Sequence, residues 1–95
     1  MKITLHLRIA GRVQGVGYRY GLRSAAQANE IAGWVRNRRD GTVEAVVQGS
    51  PEAVEKILAW ARHGPPGARV TEFRAPVAPA DLDRPYSGFD LLPTA

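Results

Sequence analysis

An Asp-Gly pair, Asp40-Gly41, stands near the middle of the chain between two runs of alternating apolar residues. Such a pair specifies a tight hairpin, because aspartate and glycine tolerate the positive φ that a twisted hairpin turn demands. The turn Arg38-Arg39-Asp40-Gly41 therefore makes two strands antiparallel neighbours: Ile31 to Asn37 before it and Thr42 to Gln48 after it. Upstream, Ile3, Leu5, Leu7 and Ile9 alternate with Thr4, His6 and Arg8, the pattern of a half-buried strand. The stretch Gly11-Arg12-Val13-Gln14-Gly15-Val16-Gly17 is too rich in glycine for regular structure, and a helix is expected from about Tyr18, with Leu22, Ala25, Ala26 and Asn29 on one face. Downstream, Ser50-Pro51-Glu52 is a helix start, with a serine cap, proline in the first turn and an acid beside the positive end of the dipole. Val54, Ile57, Leu58 and Ala61 form that helix's buried stripe, and Gly64-Pro65-Pro66-Gly67 ends it. Arg69 to Ala75 reads as a fourth strand, Pro76 to Pro85 as a loop and Ser87 to Leu92 as a short last strand.

The order is β-α-β-β-α-β plus a tail strand. Two interleaved βαβ units give an α+β, ferredoxin-like two-layer sandwich, an antiparallel sheet with both helices on one face. Right-handed crossovers predict strand order 4-1-3-2, the tail strand adding at an edge. The first two helix-linked strands then end at the same end of the sheet, on the order of 10 Å apart, two strand spacings. A ligand at the glycine loop would also meet Asn37.

A chain of 95 residues, 44% of them hydrophobic, suits one domain with one core, and we read residues 1–95 as such. It has no cysteine, which excludes disulfides, thiolate metal sites and a cysteine nucleophile. No apolar run reaches the roughly 20 residues of a membrane helix, and His6 and Arg8 interrupt any leader-like block at the start. We expect a cytoplasmic protein with no membrane association. Up to Arg39 there are eight basic residues against one acid; beyond it, five basic against eight acidic. This asymmetry points to an anionic partner.

The glycine loop supplies a place for one. Gly11, Gly15 and Gly17 ahead of a helix can turn backbone N–H groups inward, and the helix start adds partial positive charge. Arg19 in the first turn could close such a cradle with a bidentate guanidinium. No Gly-Lys-Ser/Thr follows, so this is not the nucleotide loop of that signature, and the glycine spacing is not that of a dinucleotide site.

The segment Gly11-Arg12-Val13-Gln14-Gly15-Val16-Gly17-Tyr18-Arg19 resembles the signature of the acylphosphatases. Gly33-Trp34-Val35-Arg36-Asn37, followed by Asp40-Gly41-Thr42-Val43-Glu44, is similar to their second signature. Gly49-Ser50-Pro51, Gly64-Pro65-Pro66-Gly67-Ala68-Arg69-Val70 and Tyr86-Ser87-Gly88-Phe89 resemble bacterial members, whereas Ala75 to Asp83 matches least. The resemblance implies a ferredoxin-like enzyme that hydrolyses the carboxyl–phosphate bond of acyl phosphates without metal or cofactor. It implies a phosphate-binding loop of Gln14, Gly15, Val16, Gly17, Tyr18 and Arg19, with Arg19 and Asn37 catalytic, Asn37 positioning water. Tyr18 stands where many members have phenylalanine. The partners so implied are a small acyl phosphate and inorganic phosphate as product and inhibitor, acting on a monomer.

Other residues read as structural: His6 in mid-strand, His63 at a helix end, Ser24 with no His-Asp support, Asp81 and Asp83 in a solvated loop, and Trp34 and Trp60 as packing anchors. The competing function is a non-catalytic phosphate- or nucleic-acid-binding module. The face opposite the helices, with Thr4, His6, Arg8, Thr42, Glu44, Val46 and Gln48, is expected to be exposed. The first and third strands place no aromatic there, which argues against base stacking.

Overall fold

The computed structural model describes the whole chain, Met1–Ala95. Its elements are β1 (Ile3–Arg12), α1 (Tyr18–Ala28), β2 (Ala32–Asn37), β3 (Val43–Gly49), α2 (Pro51–His63), β4 (Arg69–Arg74) and β5 (Phe89–Leu91). The sheet order is β4-β1-β3-β2-β5, as the crossover rule requires for the first four strands. β1, β2, β3 and β4 pair antiparallel, but β5 joins β2 in parallel, so the sheet is mixed rather than wholly antiparallel.

Alternation along the strands builds the core. Leu7, Ile9, Val35, Val43, Ala45 and Val47 face the helices and are fully buried, meeting Tyr18, Leu22 and Ala26 of α1 and Val54, Ile57 and Ala61 of α2. Each large aliphatic so buried contributes roughly 1.5–3 kcal/mol. The serine start of α2 is as read: the Ala53 N–H donates to Ser50 Oγ at 3.2 Å.

Three further expectations need correction. First, Gly11 and Arg12 belong to β1, not to the loop. A bulge between Ala10 and Gly11 lets β1 follow β4 to Arg69, and the backbone there is so close that a Cβ on Gly11 would lie 2.1 Å from the Arg69 carbonyl oxygen. Second, the segment after β4 is not a free loop throughout. Val77 bridges Leu5 in the same register as β4, and Pro76, unable to donate, accepts from the His6 N–H at 2.9 Å. Third, the face away from the helices is not open. Thr4, Glu44, Val46 and Gln48 are all buried. The chain after Val77 crosses this face toward β5: Gln48 Nε2 donates to the Arg84 carbonyl at 2.8 Å and to Thr4 Oγ1 at 3.0 Å, and the Tyr86 N–H donates to Gln48 Oε1 at 3.1 Å.

The rest of that face is an ion-pair cluster on one buried carboxylate. Glu44 accepts from Arg36 Nε at 2.8 Å, Arg38 at 3.2 Å and His6 Nε2 at 2.6 Å. Arg36 also lies over the Trp34 ring. Of the sheet face that a base-stacking module would use, the part at Thr4 and Gln48 is therefore covered.

Candidate active site

Two helix starts in this molecule are built differently. α2 is capped by serine. α1 begins after Gly17, at φ 81° and ψ 16°, and no side chain caps it. Gly15, at φ 74°, shares the left-handed conformation, and a Cβ on either glycine would meet nothing within 4 Å. Glycine is demanded here by backbone angle, not by crowding. The loop therefore leaves the first N–H groups of α1 free of side-chain acceptors.

Beside this helix start is a cleft of about 250 Å³ lined by Val13, Gly15, Gly17, Tyr18, Arg19, Tyr20 and Asn37. Asn37 comes from the end of β2, across β3 from β1, as the topology predicted. Its Oδ1 is buried and has no protein donor, an uncommon state for a buried amide oxygen. Its backbone is held firmly: the Ala95 N–H donates to the Asn37 carbonyl at 3.0 Å, and the Arg39 N–H to the Ala95 carbonyl at 2.8 Å.

Gln14 fixes the loop to the hairpin. Its Nε2 donates to the carbonyls of Arg38 and Thr42 at 2.8 and 2.9 Å. The side chain thus ties down the turn that follows Asn37 and is not aimed into the cleft. Val16 packs against the core. Tyr18 is buried, its ring against Trp60 at 5.5 Å and its hydroxyl donating to the Ala61 carbonyl at 2.6 Å. Burial pushes that hydroxyl well above the ordinary tyrosine range, so it stays protonated and cannot serve as a base.

Of the six loop residues, the cleft thus gathers Gly15, Gly17, Tyr18 and Arg19, and joins to them Asn37. Val13 and Tyr20 also line it and were not singled out in the sequence. Tyr20 carried a signal, an aromatic flanked by Arg19 and Arg23. Ser24, His63, Asp81 and Asp83 are exposed and away from the cleft lining. No three His, Asp or Glu side chains converge anywhere. A wider depression, about 740 Å³, lies at the opposite end of the sheet. Lys2 and Lys56 balance Glu30 and Glu52 there and nothing lining it is buried, so we read it as solvated surface.

Fold and cleft together define a ferredoxin-like α+β domain with a recess at the end of its sheet, beside the uncapped start of α1. Comparison with known proteins gives the family. The acylphosphatase family model matches residues 5–91. An acylphosphatase of Thiobacillus denitrificans is 52% identical over 92% of this chain and 93% of its own length. One of Thermococcus kodakarensis is 56% identical over 74% and 77%. The crystal structure of acylphosphatase from Bacillus subtilis superposes with a TM-score of 0.87 at 32% identity, covering 97% of this chain and 99% of that one. The chain belongs to the acylphosphatase family.

Proposed function

We propose that this enzyme hydrolyses acyl phosphates in the cleft, the phosphoryl group held by the loop N–H groups and Arg19 and the attacking water oriented by Asn37. The observation that carries this reading is the meeting of an uncapped helix start, an unpaired guanidinium and an unpaired buried amide oxygen in one recess.

An acyl phosphate is a mixed anhydride with a good leaving group, so its hydrolysis needs alignment and charge stabilisation more than covalent help. Three phosphoryl oxygens sit against backbone N–H groups and the guanidinium, which stabilise the charge spread over them in the transition state. Asn37 Oδ1 accepts a hydrogen bond from water and points one of its lone pairs at phosphorus. The water oxygen bonds to phosphorus, the bond from phosphorus to the acyl oxygen breaks, and that oxygen leaves as carboxylate. Asparagine takes no proton at neutral pH; the proton of the water passes to a phosphoryl oxygen. Val13 closes the apolar side of the recess, where a low local dielectric strengthens the charged contacts.

The test is hydrolysis of acetyl or benzoyl phosphate by the protein after dialysis against a chelator. Turnover that persists, and is inhibited competitively by inorganic phosphate, supports the reading. A protein that binds phosphate but turns over neither substrate is a binding module instead.

A further inference from the structure

The arginines of this chain fall into two groups. Arg8, Arg36, Arg38 and Arg74 each lie within 4.0 Å of a carboxylate; the other seven do not, and of these Arg19 lines the cleft and Arg23 follows it by one turn on α1. These two stand four residues apart on α1 and so share one face of it. Both flank the same ring: the guanidinium carbons lie 5.8 and 5.5 Å from the centre of Tyr20. Tyr20 lines the cleft and is nevertheless 57% exposed, so it forms the rim on the side where Arg23 stands. Like charges at this spacing destabilise a helix, and α1 holds no acid from Tyr18 to Ala28 to offset them. The cleft accounts for Arg19; Arg23, against the Tyr20 ring at the rim, has no carboxylate within 4.0 Å.

We propose that Tyr20 and Arg23 form a subsite for the acyl part of the substrate, and that the preferred substrates are acyl phosphates whose acyl group carries a second anion. The inference rests on the hydrolytic reading above and names its substrate class. With the phosphoryl group against Arg19, the acyl chain leaves the recess over the Tyr20 ring. Its distal carboxylate or phosphate then meets the Arg23 guanidinium, which the ring holds beside the cleft by cation–π contact. An aliphatic acyl chain without charge meets only the ring.

Two measurements test this. In the first, kcat/KM for succinyl phosphate is compared with that for acetyl phosphate, in the parent and in Arg23→Gln. The parent should favour succinyl phosphate by about three- to tenfold, as expected for one half-exposed charge-assisted contact. That preference should vanish in Arg23→Gln and shrink in 0.5 M salt. In the second, which needs no turnover, the affinity of 5-phosphonopentanoate is compared with that of pentylphosphonate. The carboxylate should strengthen binding to the parent by a similar factor and not to Arg23→Gln. Absence of all hydrolysis with the phosphonate difference intact would overturn the hydrolytic reading and leave the anion subsite standing. A parent that treats both phosphonates alike, or a preference unchanged by Arg23→Gln, overturns the subsite.

Discussion

Replacing Asn37 by alanine separates chemistry from binding and from folding. The side chain's oxygen is buried without a protein partner, so its removal deletes no protein hydrogen bond at that atom. Burying an amide oxygen unpaired costs about 1–3 kcal/mol, and truncation relieves part of this while losing some packing. The backbone remains anchored by Ala95 and by the pairing of Asn37 with Val43. Unfolding free energy should therefore stay within about 1 kcal/mol of the parent, or rise. Loss of water alignment should lower kcat about a hundredfold, which is roughly 2.7 kcal/mol of barrier. The cradle of N–H groups and Arg19 is untouched, so the inhibition constant of phosphate should not move. Asn37→Asp keeps the shape but adds a negative charge facing the phosphoryl oxygens. At about 4 Å in a protein-like medium that repulsion is roughly 4 kcal/mol per charge pair, and both kcat and phosphate affinity should fall. Steady-state hydrolysis of benzoyl phosphate, phosphate inhibition and urea unfolding on the two variants give every quantity needed. If Asn37→Ala loses phosphate affinity in step with kcat, the residue belongs to the cradle and the water-positioning argument is wrong.

Arg19→Ala should cost a hundredfold or more in kcat/KM, and Arg19→Lys should not restore it, because an ammonium lacks the guanidinium fork; near-parent kinetics in either variant would refute the clamp. Inorganic phosphate at ten times its dissociation constant should add about 1.4 kcal/mol to stability, roughly 6–11 °C in Tm, by binding only the folded loop; a melting curve that ignores phosphate counts against the cradle. Burial raises the pKa of Glu44, but hydrogen bonds and charge from Arg36 and His6 outweigh it and leave the carboxyl below its usual 4.5. A depressed carboxyl pKa stabilises the fold fully above the unfolded value and loses that contribution as pH falls through the folded one. Chemical denaturation from pH 7 to 3 should thus show a steeper loss in the parent than in Glu44→Gln, and equal slopes would contradict the assignment.

Much of this was legible in the residues. The Asp40-Gly41 turn, the Ser50-Pro51 start and the alternation of β1 and β3 fixed element order, and right-handed crossovers then fixed strand order and brought the loop and Asn37 to one end. What escaped depends on contacts distant in sequence. Gly11 in a bulged strand looks the same in sequence as Gly15 in a loop; only the approach of β4 at Arg69 distinguishes them. Thr4 and Gln48 read as solvated because their polarity is satisfied by each other and by the backbone of a proline-rich segment with no pattern of its own. Gln14 donates to main-chain carbonyls, which any residue carries, so no residue type on the hairpin announced the link. The parallel pairing of β5 rests on three residues, too few for periodicity to reveal a partner.

Tyr18 gives the cleft a hidden reach. It is the first residue of α1, yet its hydroxyl satisfies a carbonyl in the last turn of α2, and a Cβ on Gly64 would press on its ring at 2.8 Å. Such a terminal turn ordinarily frays, because its carbonyls lack helical partners. Here it cannot unravel without releasing the residue that follows the loop. The loop and the end of α2 should open as one unit of local unfolding. Phosphate at the loop should then slow amide hydrogen exchange at Gly64, whose N–H donates to the Trp60 carbonyl at 2.8 Å, far along the chain from any residue lining the cleft. Tyr18→Phe should abolish that protection while leaving phosphate bound, since the phenol is engaged with the Ala61 carbonyl and its loss leaves the loop backbone in place.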